Sequence, residues 1–212
     1  MVCAICQTRR PRRSCPGVHG QICSVCCGSE REVTVSCPLD CEYLQEARKH
    51  DKPPSLEGME IPNRDIPITE RLLRDHEELL ALMAATILRA AFEIPGVVDP
   101  DVREALEALI RTGRTLQSGV YYETRPENFL AAQVCDAMRN AIEEYRRHET
   151  QRLGITRTRD ADVLGLLVFL QHFELTQNNG RRRGRAFLDA LRGFYPADHG
   201  PALPPASPLI LP

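Results

Sequence analysis

Eight of the nine cysteines lie between Cys3 and Cys41. That crowding constrains the fold more than any other feature. So short a stretch offers few apolar side chains, chiefly Ile5, Ile22, Val25, Val33, Val35 and Leu44. A small unit without a sufficient core needs disulfides, metals or partners to fold. The chain opens Met1-Val2-Cys3-Ala4-Ile5-Cys6 and reaches Arg9 and Arg10 without an apolar signal segment. Its longest apolar run, Val163 to Phe169, falls well short of the roughly 20 residues that cross a bilayer. These features predict a cytoplasmic protein with no membrane partner, in which reduced, clustered thiols read as metal ligands.

Cys3-x2-Cys6 and Cys23-x2-Cys26 are separated by sixteen residues, inside the spacing of paired zinc knuckles. Each C-x2-C turn lets two thiolates converge, and two turns complete the tetrahedron that zinc adopts in closed structural sites. Cys15, Cys27, Cys37 and Cys41 remain, again four. Neighbouring side chains diverge, so Cys26 and Cys27 are easier to place on different ions. Two zinc ions with interleaved ligands are therefore expected: Cys3, Cys6, Cys23 and Cys26 on one, Cys15, Cys27, Cys37 and Cys41 on the other, with His19 or His50 as a substitute ligand in the second set. A structural zinc contributes roughly 10–16 kcal/mol, so the first 41 residues should order only with metal. Gly28 suits a turn of positive φ, Glu32-Val33-Thr34-Val35 reads as a strand, and Cys41 to Arg48 reads as a helix.

Helical periodicity begins beyond a polar, Pro-containing stretch. Leu72, Leu73, Leu79, Leu80, Met83 and Ile87 recur on one face after Thr69, and a second helix follows Asp99-Pro100. Thr124-Arg125-Pro126-Glu127 has the spacing of a capping box for a third helix ending near Gly154. A fourth, from Asp162 to about Thr176, is apolar nearly all round and should be the most enclosed. A fifth carries Phe187, Leu188, Leu191 and Phe194. The expected architecture is a zinc-stabilised, cross-brace or treble-clef-like module over residues 1–50 and a linker over 51–67. An all-α bundle of four or five helices follows over 68–195, then a Pro-rich flexible tail over 196–212.

The order C-x2-C, isolated Cys15-Pro16, C-x2-C, then Cys37-x3-Cys41 resembles binuclear, interleaved zinc fingers of the HIT or MYND sort. The strings Ile22 to Gly28 and Cys37 to Leu44 are similar to those of uncharacterised bacterial cysteine-rich zinc proteins. The first likeness implies a protein-interaction module; the second implies no activity.

The formal net charge is -2, so attraction to a polyanion must come from a local patch. Two arginine clusters are candidate anion-binding loops: Arg9, Arg10, Arg12 and Arg13 between zinc ligands, and Arg181, Arg182, Arg183 and Arg185 between the last two helices. Either cluster could instead neutralise thiolates or pair with nearby carboxylates. Glu144, His148 and His172 are the residues from which an enzyme site in the bundle would be built, although no phosphate loop, nucleophile elbow or zincin motif is present. The expected role is docking of a protein or nucleic acid by the finger, with the bundle as scaffold or dimer surface. A zinc-thiolate redox sensor is the rival reading.

Overall fold

The computed structural model describes residues 1–51, 54, 58 and 60–194. Part of the expected linker and the whole of the expected tail lie outside the described residues.

In the cysteine-rich segment, β1 (Arg13–Cys15) and β2 (Gly20–Ile22) form an antiparallel hairpin closed by a 3-10 turn, Pro16–Val18, with Cys15 opposite Gly20. α1 (Ser24–Ser29) follows at once, and α2 (Glu42–Arg48) starts with Cys41 as its N-cap. Two local expectations are corrected. Gly28 lies within α1, where it has no positive φ. Glu32 to Val35 forms a turn with an isolated Arg31–Val35 bridge, because Glu32 adopts φ 54°, which no strand residue can hold. Ile22 and Leu44 pack with the buried cysteines into a small core.

The remainder is helical: α3 (Glu70–Asp75), α4 (Glu77–Glu93), α5 (Asp99–Gln117), α6 (Phe129–Leu153), α7 (Asp160–Gln177) and α8 (Ala186–Phe194). Among the described residues there are thus eight α-helices, six of them in the helical part. The first expected helix is split. His76, at φ -124° and ψ 29°, interrupts it and faces Asp162 at 3.6 Å. The break turns α3 across α7, where Gly165 leaves room for Leu72; a Cβ there would lie 2.6 Å from Leu72 Cδ2. The third helix starts at Phe129, with Asn128 rather than Thr124 as its cap. Thr124 is instead held by the Thr112 hydroxyl, which accepts its N–H at 2.9 Å.

α5 packs against both α6 and α7, α4 against α6, and α8 closes over α4 and α7. Met83, Ile87, Leu106, Met138, Leu164, Leu170 and Phe187 fill the interior. Half of the residues of α7 are buried, in keeping with its apolar circumference. Of its two buried acidic residues, Asp162 and Glu174, the latter is fully buried and takes a bidentate pair from Arg103 at 2.7 and 2.9 Å. No helix among the described residues is long and apolar enough to cross a membrane.

The cysteine-rich part is seated on the helical part. Leu39, between Cys37 and Cys41, is 3% exposed and belongs to the helical core. Residues 60–67 also pack there: Ile66 against the core, Asn63 and Asp65 on Arg114, and the Pro62 carbonyl on His172 at 2.7 Å.

Candidate metal centre

The first knuckle is a tight turn in which the Gln7 N–H donates to the Cys3 carbonyl at 2.9 Å, with Gln7 itself at φ 54°. The second is a helix start: Cys23 caps α1, its sulfur accepting the Cys26 N–H at 3.4 Å. The Cys23 N–H in turn donates to Cys3 Sγ at 3.2 Å, which ties the two knuckles together. The result is a cluster in which the sulfurs of Cys3, Cys6, Cys23 and Cys26 all lie within 4.8 Å of one another. Four thiolates around a tetrahedral ion at about 2.3 Å sit about 3.8 Å apart, so a small contraction suffices for these four to hold one metal ion.

The sulfurs are unequal before metal binds. The Thr8 hydroxyl and N–H, with the Arg9 N–H, hold the Cys6 thiol down at about 5. Burial and the adjoining sulfurs of Cys23, Cys6 and Cys3 push Cys26 up to about 12. Cys6 is thus the ready ligand, while Cys26 must give up its proton to the incoming ion, making metal uptake pH-dependent.

Cys26 and Cys27 diverge. Cys26 belongs to the first cluster, whereas Cys27 does not; both line a cavity of about 20 Å³ together with Cys15, Cys37 and Cys41. Cys15, Cys27, Cys37 and Cys41 are gathered but not drawn to the 4.8 Å spacing of the first set. Burial pushes the Cys37 thiol up, with Cys41 and Cys15 adding to the effect and the Glu32 N–H opposing it. His19 and His50 are exposed, and His50 lies 3.7 Å from Glu46.

The arginines of the first loop divide by function. Arg9 is exposed, and the Cys23 sulfur raises its pKa; Arg13 donates to Cys27 Sγ at 3.2 Å while lying 4.6 Å from the Tyr43 ring centroid. Arg31 reaches Cys27 from the other side at 3.9 Å. Arg10 and Arg12 are exposed. In the second loop, Arg181 donates to the Arg31 carbonyl at 3.1 Å, Arg183 to Ser36, and the Arg185 N–H to Glu32 at 2.8 Å; Arg182 is exposed. Burial lowers the Arg185 guanidinium pKa.

Thr8, Arg31, Glu32 and Tyr43 were not flagged by the cysteine spacing. Their single signal was position, each lying within five residues of a cysteine. In the helical part, Glu144 and His148 form an exposed pair at 3.7 Å. Cys135 is buried, and burial pushes its thiol up to about 11.

No family model matches the chain, and no solved structure matches it significantly. Over 190 residues it is 31% identical to the ribosomal protein uS12 methylthiotransferase RimO of Chloroflexus aurantiacus, a match covering 80% of this chain. The chain spans 40% of that protein's length.

Proposed function

We propose that this chain is a zinc-stabilised docking protein that presents its cysteine module, held on a helical scaffold, to a ribosomal protein. The observation that carries the reading is the convergence of Cys3, Cys6, Cys23 and Cys26 within 4.8 Å. Their all-sulfur donor set suits zinc, which closes such sites with no place for water. Cys15, Cys27, Cys37 and Cys41, in their shared cavity, would hold a second zinc. Metal in this role supplies folding energy, and no step of catalysis is assigned to it. Arg13 is engaged by the Cys27 sulfur, while Arg9, Arg10 and Arg12 face outward with no aromatic residue among them to stack bases, which favours a protein surface over a nucleic acid. The partner class comes from the relative, whose name gives a ribosomal protein as the molecule it modifies.

Native mass spectrometry of the full chain should give two zinc ions, and the loaded chain should co-sediment with ribosomes, whereas Cys23→Ser should do neither. A metal-free native protein would overturn the module. A loaded chain that stays in the supernatant at every salt concentration would overturn the partner.

A second reading, the redox sensor, is favoured by Cys27, whose sulfur faces two guanidiniums beside three other thiols. It requires zinc release at low peroxide with reversible disulfide formation; zinc that resists such peroxide rules it out.

A further inference from the structure

The two cysteine sets differ in what adjoins them. The first is tied by Cys23 N–H to Cys3 Sγ and Cys26 N–H to Cys23 Sγ, bonds internal to the module. Between the members of the second set runs the segment 31–39, and this segment touches the helices. Arg31 has its guanidinium on Cys27 Sγ and its carbonyl accepting from Arg181 at 3.1 Å. Glu32 turns its N–H toward the Cys37 sulfur, while its carbonyl accepts the Arg183 N–H at 2.9 Å. The Glu32 carboxylate, fully buried, accepts from Arg48 at 2.8 Å, from Asn179 at 2.7 Å and from the Arg185 N–H at 2.8 Å. Ser36 precedes Cys37 and takes the Arg183 guanidinium; Leu39 lies between Cys37 and Cys41 and enters the helical core.

Resting on the two-zinc reading above, we propose that the second cysteine set is a latch: a zinc held by Cys15, Cys27, Cys37 and Cys41 fixes residues 31–39 in the shape that grips the loop between α7 and α8, so that filling this set and closing the module onto the helices form one equilibrium. The cavity of about 20 Å³ has room for a single small ion. Closing the segment from Cys27 to Cys41 on a metal removes the chain freedom that would otherwise oppose Glu32 at φ 54°. A carboxylate so enclosed is tolerated only while all its donors are in place, so loosening the segment frees Glu32 to water and opens the grip. Linkage makes the effect reciprocal: whatever breaks the grip weakens the second zinc and leaves the first alone.

The test uses the full chain loaded with zinc, read by hydrogen exchange at residues 181–185 and by zinc affinity for each equivalent. Cys37→Ser or Cys41→Ser, with the first zinc retained, should speed exchange at Arg183 and Arg185 by about tenfold or more. Glu32→Gln should weaken the second zinc by about tenfold and leave the first unchanged. Asn179→Ala, which removes one donor and leaves Glu32 in place, should do the same more mildly and serves where Glu32→Gln fails to fold. Two bound zincs with unaltered exchange, or equal weakening of both zincs, overturns the latch alone. A chain that never binds more than one zinc overturns the two-zinc reading and the latch with it.

Discussion

Leu39 offers a direct measure of how firmly the two parts are joined. It belongs to the cysteine-rich part in sequence but is 3% exposed within the helical core. Replacing it by Ala removes most of a buried Leu side chain and leaves a cavity, a change that costs about 2–5 kcal/mol in a packed interior. A urea dependence of about 1–3 kcal/mol per molar converts the middle of that range into a midpoint shift of roughly 1–3.5 M. The assay is urea unfolding of the full chain as purified, followed by far-ultraviolet circular dichroism, which reports α4 to α7. Val33→Ala, at an exposed site in the same segment, serves as the control and should move stability by less than about 0.5 kcal/mol. A Leu39→Ala midpoint equal to that of the control, with metal content unchanged, would refute a stabilising role for Leu39 and leave the polar contacts of Arg31 and Glu32 to join the two parts.

Asp99 is buried, and its carboxylate caps α8 by accepting the Phe187 and Leu188 N–H groups at 2.9 and 3.2 Å. Burial, opposed by those two bonds, raises it from 3.8 to about 7. The folded state therefore holds the proton more tightly than the unfolded state, and ionisation costs stability as pH rises through that interval. Asp99→Asn retains one of the two accepting oxygens, so its stability relative to the parent should rise by on the order of a few kcal/mol between pH 4 and pH 7 and then level off; a difference independent of pH in thermal melts would refute the assignment. At Gly17 an added Cβ would lie 2.5 Å from the Ser36 carbonyl oxygen and 2.7 Å from Val35 Cγ1. Gly17→Ala should thus cost about 1–3 kcal/mol. Gly20→Ala, whose nearest contact is Ala4 Cβ at 3.4 Å, should be close to neutral in the same denaturation series.

Local chemistry was readable in advance and long-range pairing was not. The convergence of Cys3 with Cys6, and of Cys23 with Cys26, follows from a single turn of backbone, so spacing alone reveals it. Glu32 illustrates the opposite case. Its neighbours Val33 and Val35 alternate as in a strand, but its left-handed backbone is fixed by Asn179 and Arg185, 147 and 153 residues away. The helices were legible from apolar period, whereas their ends depended on tertiary contacts. Leu72 and Leu79 fit one continuous helix until His76 meets Asp162. Thr124 and Glu127 have capping-box spacing, yet Thr112 holds Thr124 and Asn128 takes the cap. The arginine loops were visible as charge, but their targets, sulfur for Arg13 and carbonyl oxygen for Arg181, are set only by the folded chain.

The bond from Arg181 to the Arg31 carbonyl joins positions 150 residues apart, and this sets a chronology. During synthesis at about 5–20 residues per second, the amino-terminal thiols emerge roughly 8–30 s before the residues that cover them. Throughout that interval the nascent segment lacks the loop that holds Arg31 and Glu32. Completion of the seam therefore waits for residues 181–185 to leave the ribosome.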